Sequence, residues 1–131
     1  MSLIEFPYTL HKQYQMPIIP LLVEGRKLWA FVDSGATFSV LSIDDAKRIG
    51  IAWEKGRHQM IVVGDGSFIP TYFHDLTLII AGHEIIAPVG FSERLGAGFN
   101  ILGRKGIFDQ FLVCFNDHTR KVSFEKINNL K

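Results

Sequence analysis

Asp33 is the residue best placed to do chemistry. It ends an apolar run within Phe31-Val32-Asp33-Ser34-Gly35-Ala36-Thr37-Phe38-Ser39-Val40-Leu41. A carboxyl at the end of an apolar strand is costly to desolvate unless it is hydrogen-bonded or holds a proton. Ser34 can supply a local hydrogen bond, and Gly35 lets the backbone turn tightly against whatever binds there. The sequence thus suggests a carboxylate held at a turn, near a cavity, with its environment under control. Asp-Ser-Gly is also an ordinary turn composition. Asp followed by Ser or Thr and then Gly arises by chance in about one chain in ten to twenty of this length. The surrounding chain must therefore decide.

Other chemistry-bearing residues give less. His11, His58, His74, His83 and His118 show no paired ligand spacing, so no metal site and no cofactor is expected. Asp44-Asp45 falls in a predicted first helical turn, where acids favour the dipole. Gly64-Asp65-Gly66 is too short and wrongly placed for a phosphate loop. The one cysteine, Cys114, lies in an apolar run and is expected to be a buried, inert thiol. A single thiol excludes an internal disulfide and fits a reducing compartment, here the cytoplasm.

The 131 residues are 47% hydrophobic, with eleven Phe, which describes one globular domain with a real core. Net charge is +1 and the basic residues are scattered, leaving no electrostatic footprint for nucleic acid or an anionic membrane. No apolar stretch reaches transmembrane length and no secretory signal pattern is visible.

The elements that must position Asp33 read as mostly β. Residues 1–16 hold Pro7 and form an N-terminal arm or edge strand. Apolar runs 17–23 and 26–32, split by Glu24-Gly25, form a hairpin that delivers Asp33. Val40-Leu41 makes a short strand. Residues 42–50 make one short helix, with Ser42 as N-cap, Ile43, Ala46 and Ile49 on one face, and Gly50 as the stop. A second hairpin turns at 64–67, where Asp65-Gly66 suits a two-residue turn. Residues 76–81 and 84–91 pair across Gly82-His83, residues 92–98 form a loop, and 100–104 form a strand ending in glycine. A helical turn is expected at 107–111, then a hairpin pairing 111–115 with 121–125, and a tail at 126–131. Many short strands with regular turns predict a closed barrel-like sheet or a sandwich.

Phe-Val-Asp-Ser-Gly-Ala, a glycine-bearing hairpin, and Ile-Leu-Gly-Arg ahead of a short helix occur in that order over about residues 17–116. This order resembles the retropepsin-like aspartic proteases. The resemblance implies an all-β fold, a small closed β-barrel-like domain over 17–125 with one or two short helices. It matches Asp33 to the catalytic aspartate and Ser34 to a hydroxyl that braces the two active-site loops across a dimer. Gly35, with Ala36 beside it in the active-site loop, would contact the substrate backbone. Gly64, Asp65, Gly66 and Ser67 match the tip of a flap. Phe31, Val40, Phe99 and Ile101 fall where the family lines its side-chain pockets. Arg104 matches an arginine that leads into the short helix. Thr37 stands where the viral enzymes often place that arginine's acidic partner, and Lys105 stands where an amide or acid is usual.

The implied chemistry needs two carboxylates facing one water, sharing one proton. This chain has one Asp-Ser-Gly and supplies half of such a site. The expected function is therefore an aspartic endopeptidase completed by homodimerisation, acting on a peptide or protein. The alternative is a catalytically weak or inactive peptide-binding or dimerisation module on the same fold.

Overall fold

The computed structural model describes residues 3–93 and 100–128. Twelve strands dominate the described residues. Strands β4 (Ile18–Val23) and β5 (Arg26–Val32) form the expected first hairpin, and β6 is Ser39–Ser42. β7 (Arg57–Val62), β8 (Phe68–Ile80) and β9 (His83–Ser92) form a meander. β10, only Ile101–Leu102, runs parallel to β5 and antiparallel to β6. β6 in turn pairs parallel with β9, and β4 reaches back to β8 through Leu22↔Ile79 and Val23↔Leu78. The pairing β4-β5-β10-β6-β9-β8 thus returns to β4, a closed ring with β7 attached outside it. The fold is all-β, as the many short strands with regular turns predict.

The ring encloses Ile19, Leu28, Leu41, Leu78, Ile80, Phe91, Leu102 and Ile107, each at most 1% exposed. Burying a side chain of this size contributes about 1.5–3 kcal/mol. A smaller cluster, Val40, Ile61, Ile69 and Phe73, lies under the β7–β8 hairpin. β8 serves both clusters. Its buried residues are Ile69, Thr71 and Phe73 at one end, then Leu76, Leu78 and Ile80, so the alternation changes phase at His74-Asp75. One face of the strand is buried first and the opposite face afterwards.

Helix α1 (Ile43–Ile49) is capped as its sequence requires. The Ser42 side chain accepts from the Asp45 N–H at 3.2 Å, and Gly50 closes it at φ 82°. At the N-terminus, β1 (Leu3–Pro7) pairs with β12 (Lys121–Lys126), which also pairs with β11 (Phe111–Asn116). β2 (Thr9–His11) and β3 (Tyr14–Met16) make a separate hairpin.

Four local expectations differ. The β7–β8 turn is not a two-residue Asp65-Gly66 turn: Gly66 N–H donates to Val63 O, Val63 N–H donates to Ser67 O, and only Gly66 has positive φ. This is a three-residue loop with glycine at its left-handed position. The β8–β9 turn centres on Ala81-Gly82, both at positive φ, one residue earlier than expected. The helical turn spans Arg104–Phe108, with non-helical dihedrals at Lys105 and Gly106, and Phe111 already belongs to β11. Cys114 is exposed, not buried. In β11 Phe111 faces the core while Leu112 and Cys114 point outward, because this three-stranded sheet covers the core with one face only. The loop expected at 92–98 lies mostly outside the described residues.

Candidate active site

β5 carries the chain to Asp33, and β10 holds the loop that follows. Asp33 N–H donates to Leu102 O at 3.0 Å, and Phe31 N–H donates to Asn100 O at 2.9 Å. Asp33 Oδ1 accepts the Gly35 N–H at 2.9 Å, and Ala36 N–H donates to Asp33 O at 3.2 Å, so the loop folds back on its own carboxylate. The far side is fixed by Arg104 N–H to Ala36 O and Lys105 N–H to Thr37 O, both 2.8 Å. Ser39 Oγ, fully buried, accepts the Gly103 N–H at 2.9 Å. Two chain segments distant in sequence therefore lock together around Asp33.

Asp33 is half-buried and lines three cavities. The first, about 590 Å³, lies beneath the β7–β8 hairpin, with Gly35, Ala36, Val40, Gly64 and Ile101 in its wall. The second, about 380 Å³, is lined by Met16, Pro17, Phe31 and Ile101. The third, about 880 Å³, is lined by Tyr8, Leu10, Tyr14, Ser34 and Phe115. The structure thus brings Asp33, Gly35, Ala36, Val40, Gly64 and Ile101 to one cavity. It places Phe31 on the second and Ser34 on the third. Asp65, Gly66 and Ser67 form the exposed hairpin tip, outside the cavity walls. Phe99 lies outside the described residues.

The hairpin tip is internally tied. Asp65 Oδ1 accepts from Ser67 Oγ at 2.6 Å and from Ser67 N–H at 2.9 Å, which holds the Asp65 carboxyl below the usual carboxylate range. Below the tip, Met60, Val62 and Phe68 remain exposed, an apolar face on the hairpin.

Two supporting groups were not evident in the sequence. Asn100 Oδ1 accepts the Ser42 N–H at 2.9 Å, while its Nδ2 donates to Trp29 O at 2.9 Å and Asp45 Oδ2 at 2.6 Å. It joins β5, the start of α1 and the approach to β10. Tyr8 donates its hydroxyl to Asp117 Oδ1 at 2.7 Å beside the third cavity. Burial first, then this hydrogen bond and the Asp117 charge, push the Tyr8 hydroxyl up to about 12. An isolated Asn and a Tyr in a Pro-bearing arm carry no local pattern that points to these partners.

The described residues include no helix long and apolar enough to cross a membrane. Among solved structures, a retropepsin-like aspartic protease from Rickettsia conorii is similar at a TM-score of 0.72, over 94% of this chain and 98% of its own, at 16% identity. The EIAV protease in complex with the inhibitor HBY-793 is similar at a TM-score of 0.57, over 73% of this chain and 88% of its own, at 22% identity. At these identities the likeness is one of fold. No curated protein matches the sequence. The family profile described as aspartyl protease matches residues 19–89, from β4 through most of the β7–β9 meander. More than half the chain thus fits one family in sequence and nearly all of it fits one fold, so it belongs to the aspartyl protease family and has the fold of the retropepsin-like enzyme.

Proposed function

We propose that this chain is an aspartic endopeptidase whose site is completed by a second copy, with Asp33 of each subunit facing one water. The observation that carries the reading is the placement of the single Asp33 carboxylate. It is fixed by Gly35 N–H at a loop held from both sides, and it opens onto the cavity under the β7–β8 hairpin. One Asp33 acts as general base toward the water, and the other, protonated, donates to the scissile carbonyl oxygen as it becomes a gem-diol. Two carboxyls about 3 Å apart share one proton and titrate as a unit. The peptide lies as an added strand beneath the hairpin, which acts as a flap and excludes bulk water. Val40 and Ile101 meet its side chains, and Phe31 extends the pocket.

The dimer reading is supported by the cavity beside Asp33 and Ser34, where Leu10, Tyr14 and Phe115 stay exposed. A second copy would cover this apolar surface. Residues 17–125 form the peptidase domain in this reading, with 1–16 as an arm. We place the protein in the cytoplasm, where the exposed Cys114 thiol stays reduced.

The test is incubation with a peptide library at several pH values, with light scattering on the same samples. Wild type is expected to cleave as a twofold dimer. Asp33→Asn is expected to lose more than about 10⁴-fold in rate, since base and proton donor vanish together. Cleavage that persists in Asp33→Asn, or full turnover by a monomer, overturns the proposal. Peptide binding without cleavage by wild type marks a binding module instead.

A further inference from the structure

A fourth, cationic cavity adjoins the one under the β7–β8 hairpin. It measures about 510 Å³ and is lined by Thr37, Arg104, Lys105, Phe108 and Asp109. Thr37 also lines the cavity under the β7–β8 hairpin, so the two spaces meet at this residue. The backbone bonds from Arg104 to Ala36 and from Lys105 to Thr37 fix both cations beside the Asp33 loop. Their side chains are exposed.

The ion pairs among the described residues are Arg48–Asp45, Arg57–Asp75 and Lys121–Glu5. Neither Arg104 nor Lys105 takes part in one. The acid in the cavity, Asp109, turns its Oδ2 to the Gly106 N–H at 3.1 Å. Two cations therefore face one carboxylate that already has a donor. Half-buried Phe108 supplies an apolar wall. A guanidinium with free donors beside a cleft that takes an extended chain fits a carboxylate on that chain, which it can grip through two parallel hydrogen bonds.

We infer that the Arg104–Lys105 cavity is an outer subsite for a carboxylate of the bound peptide, which makes acidic peptides the preferred ligands. This rests on the peptidase reading for the location of the peptide. The carboxylate comes from an Asp or Glu side chain or from the peptide's C-terminus.

The test uses matched peptides that differ by a single Glu or Gln, with that position walked along the sequence, and C-terminal acid and amide forms of each. Affinities are measured by fluorescence anisotropy on wild type and Asp33→Asn, at low and high salt. At one outer position Glu should bind about 1.5-fold to fivefold tighter than Gln, the range for an exposed charge pair, and the ratio should shrink with salt. Arg104→Gln with Lys105→Gln should bring the ratio to one. Arg104→Lys should retain part of it, and Arg104→Glu should favour a Lys peptide. A preference confined to the acid form of the C-terminus identifies the terminal carboxylate as the ligand. Equal affinity for Glu, Gln, acid and amide forms at every position overturns the subsite, as does a preference unmoved by the Arg104 variants. Turnover of the same peptides by wild type keeps the two readings apart. Cleavage without acid preference removes the subsite alone, and acid preference without cleavage removes the peptidase alone. Failure of every peptide to bind removes both.

Discussion

A Cβ built on Gly103 would stand 2.3 Å from the Phe38 carbonyl oxygen and 2.8 Å from that of Ala36. Both obstacles are backbone, in the loop that carries Asp33, so neither can swing aside. The glycine is needed here for close approach, not for an unusual dihedral. Gly103→Ala should destabilise the fold by about 1–3 kcal/mol or more by forcing the two segments apart. Urea denaturation checks this. A midpoint equal to wild type would mean that the loop yields freely.

Asn100 satisfies three partners from a nearly buried position. Asn100→Ala leaves the Ser42 N–H without its acceptor and the Trp29 carbonyl without its donor. A loss of about 1–3 kcal/mol is expected, the cost of stranding the buried Ser42 N–H, since the Trp29 carbonyl is only part-buried. Amide exchange at Ser42 should quicken in the same variant. Unchanged exchange there would contradict the role assigned to Asn100.

The Tyr8–Asp117 bond gives a pH signature at the alkaline end. The folded hydroxyl is raised from the ordinary 10.0 to about 12, so its contribution is complete below pH 10.0 and is lost as pH rises toward 12. Tyr8→Phe should cost about 1 kcal/mol at neutral pH. The gap between variant and wild type should close over that alkaline interval. Denaturation series of both proteins across the interval test it, and a constant gap would refute it.

The tip of the β7–β8 hairpin has an acidic signature. Ser67 holds the Asp65 carboxyl below its ordinary 3.8 through a hydroxyl and an N–H. The turn is therefore supported above that value and loses support as pH falls through the lowered one. Ser67→Ala removes the hydroxyl and should move Asp65 upward, narrowing the range over which the tip stays ordered. Carbon-13 titration of the Asp65 carboxyl measures this directly. Superimposable titration curves for the two proteins would defeat it.

Asp33, its loop and the capped helix were legible because their signals are local: a break in an apolar run, a hydroxyl N-cap, a glycine stop. The first hairpin was legible for the same reason. β8 was not read as one strand, because its buried face changes at His74-Asp75 and the period breaks there. Pro70 lies inside this strand, where β8 has β7 alongside, before pairing with β9 begins at Tyr72. Cys114 was misread because an apolar run on a sheet covered on one side has an exposed half. The Asn100 and Tyr8 anchors depend on partners far away in sequence, which no local pattern encodes.

The two-residue strand β10 sits between β5 and β6, which do not pair with each other. It is synthesised long after both. Until it arrives, β5 and β6 present open edges, and unpaired edges recruit other chains. Ring closure also depends on the parallel pairs β5–β10 and β6–β9, whose distant partners make assembly slow. The nascent chain thus carries Asp33 and both flanking hairpins well before it can hold them in place. Folding of the Asp33 loop waits for the segment from Asn100 to Gly103, the latch that completes it.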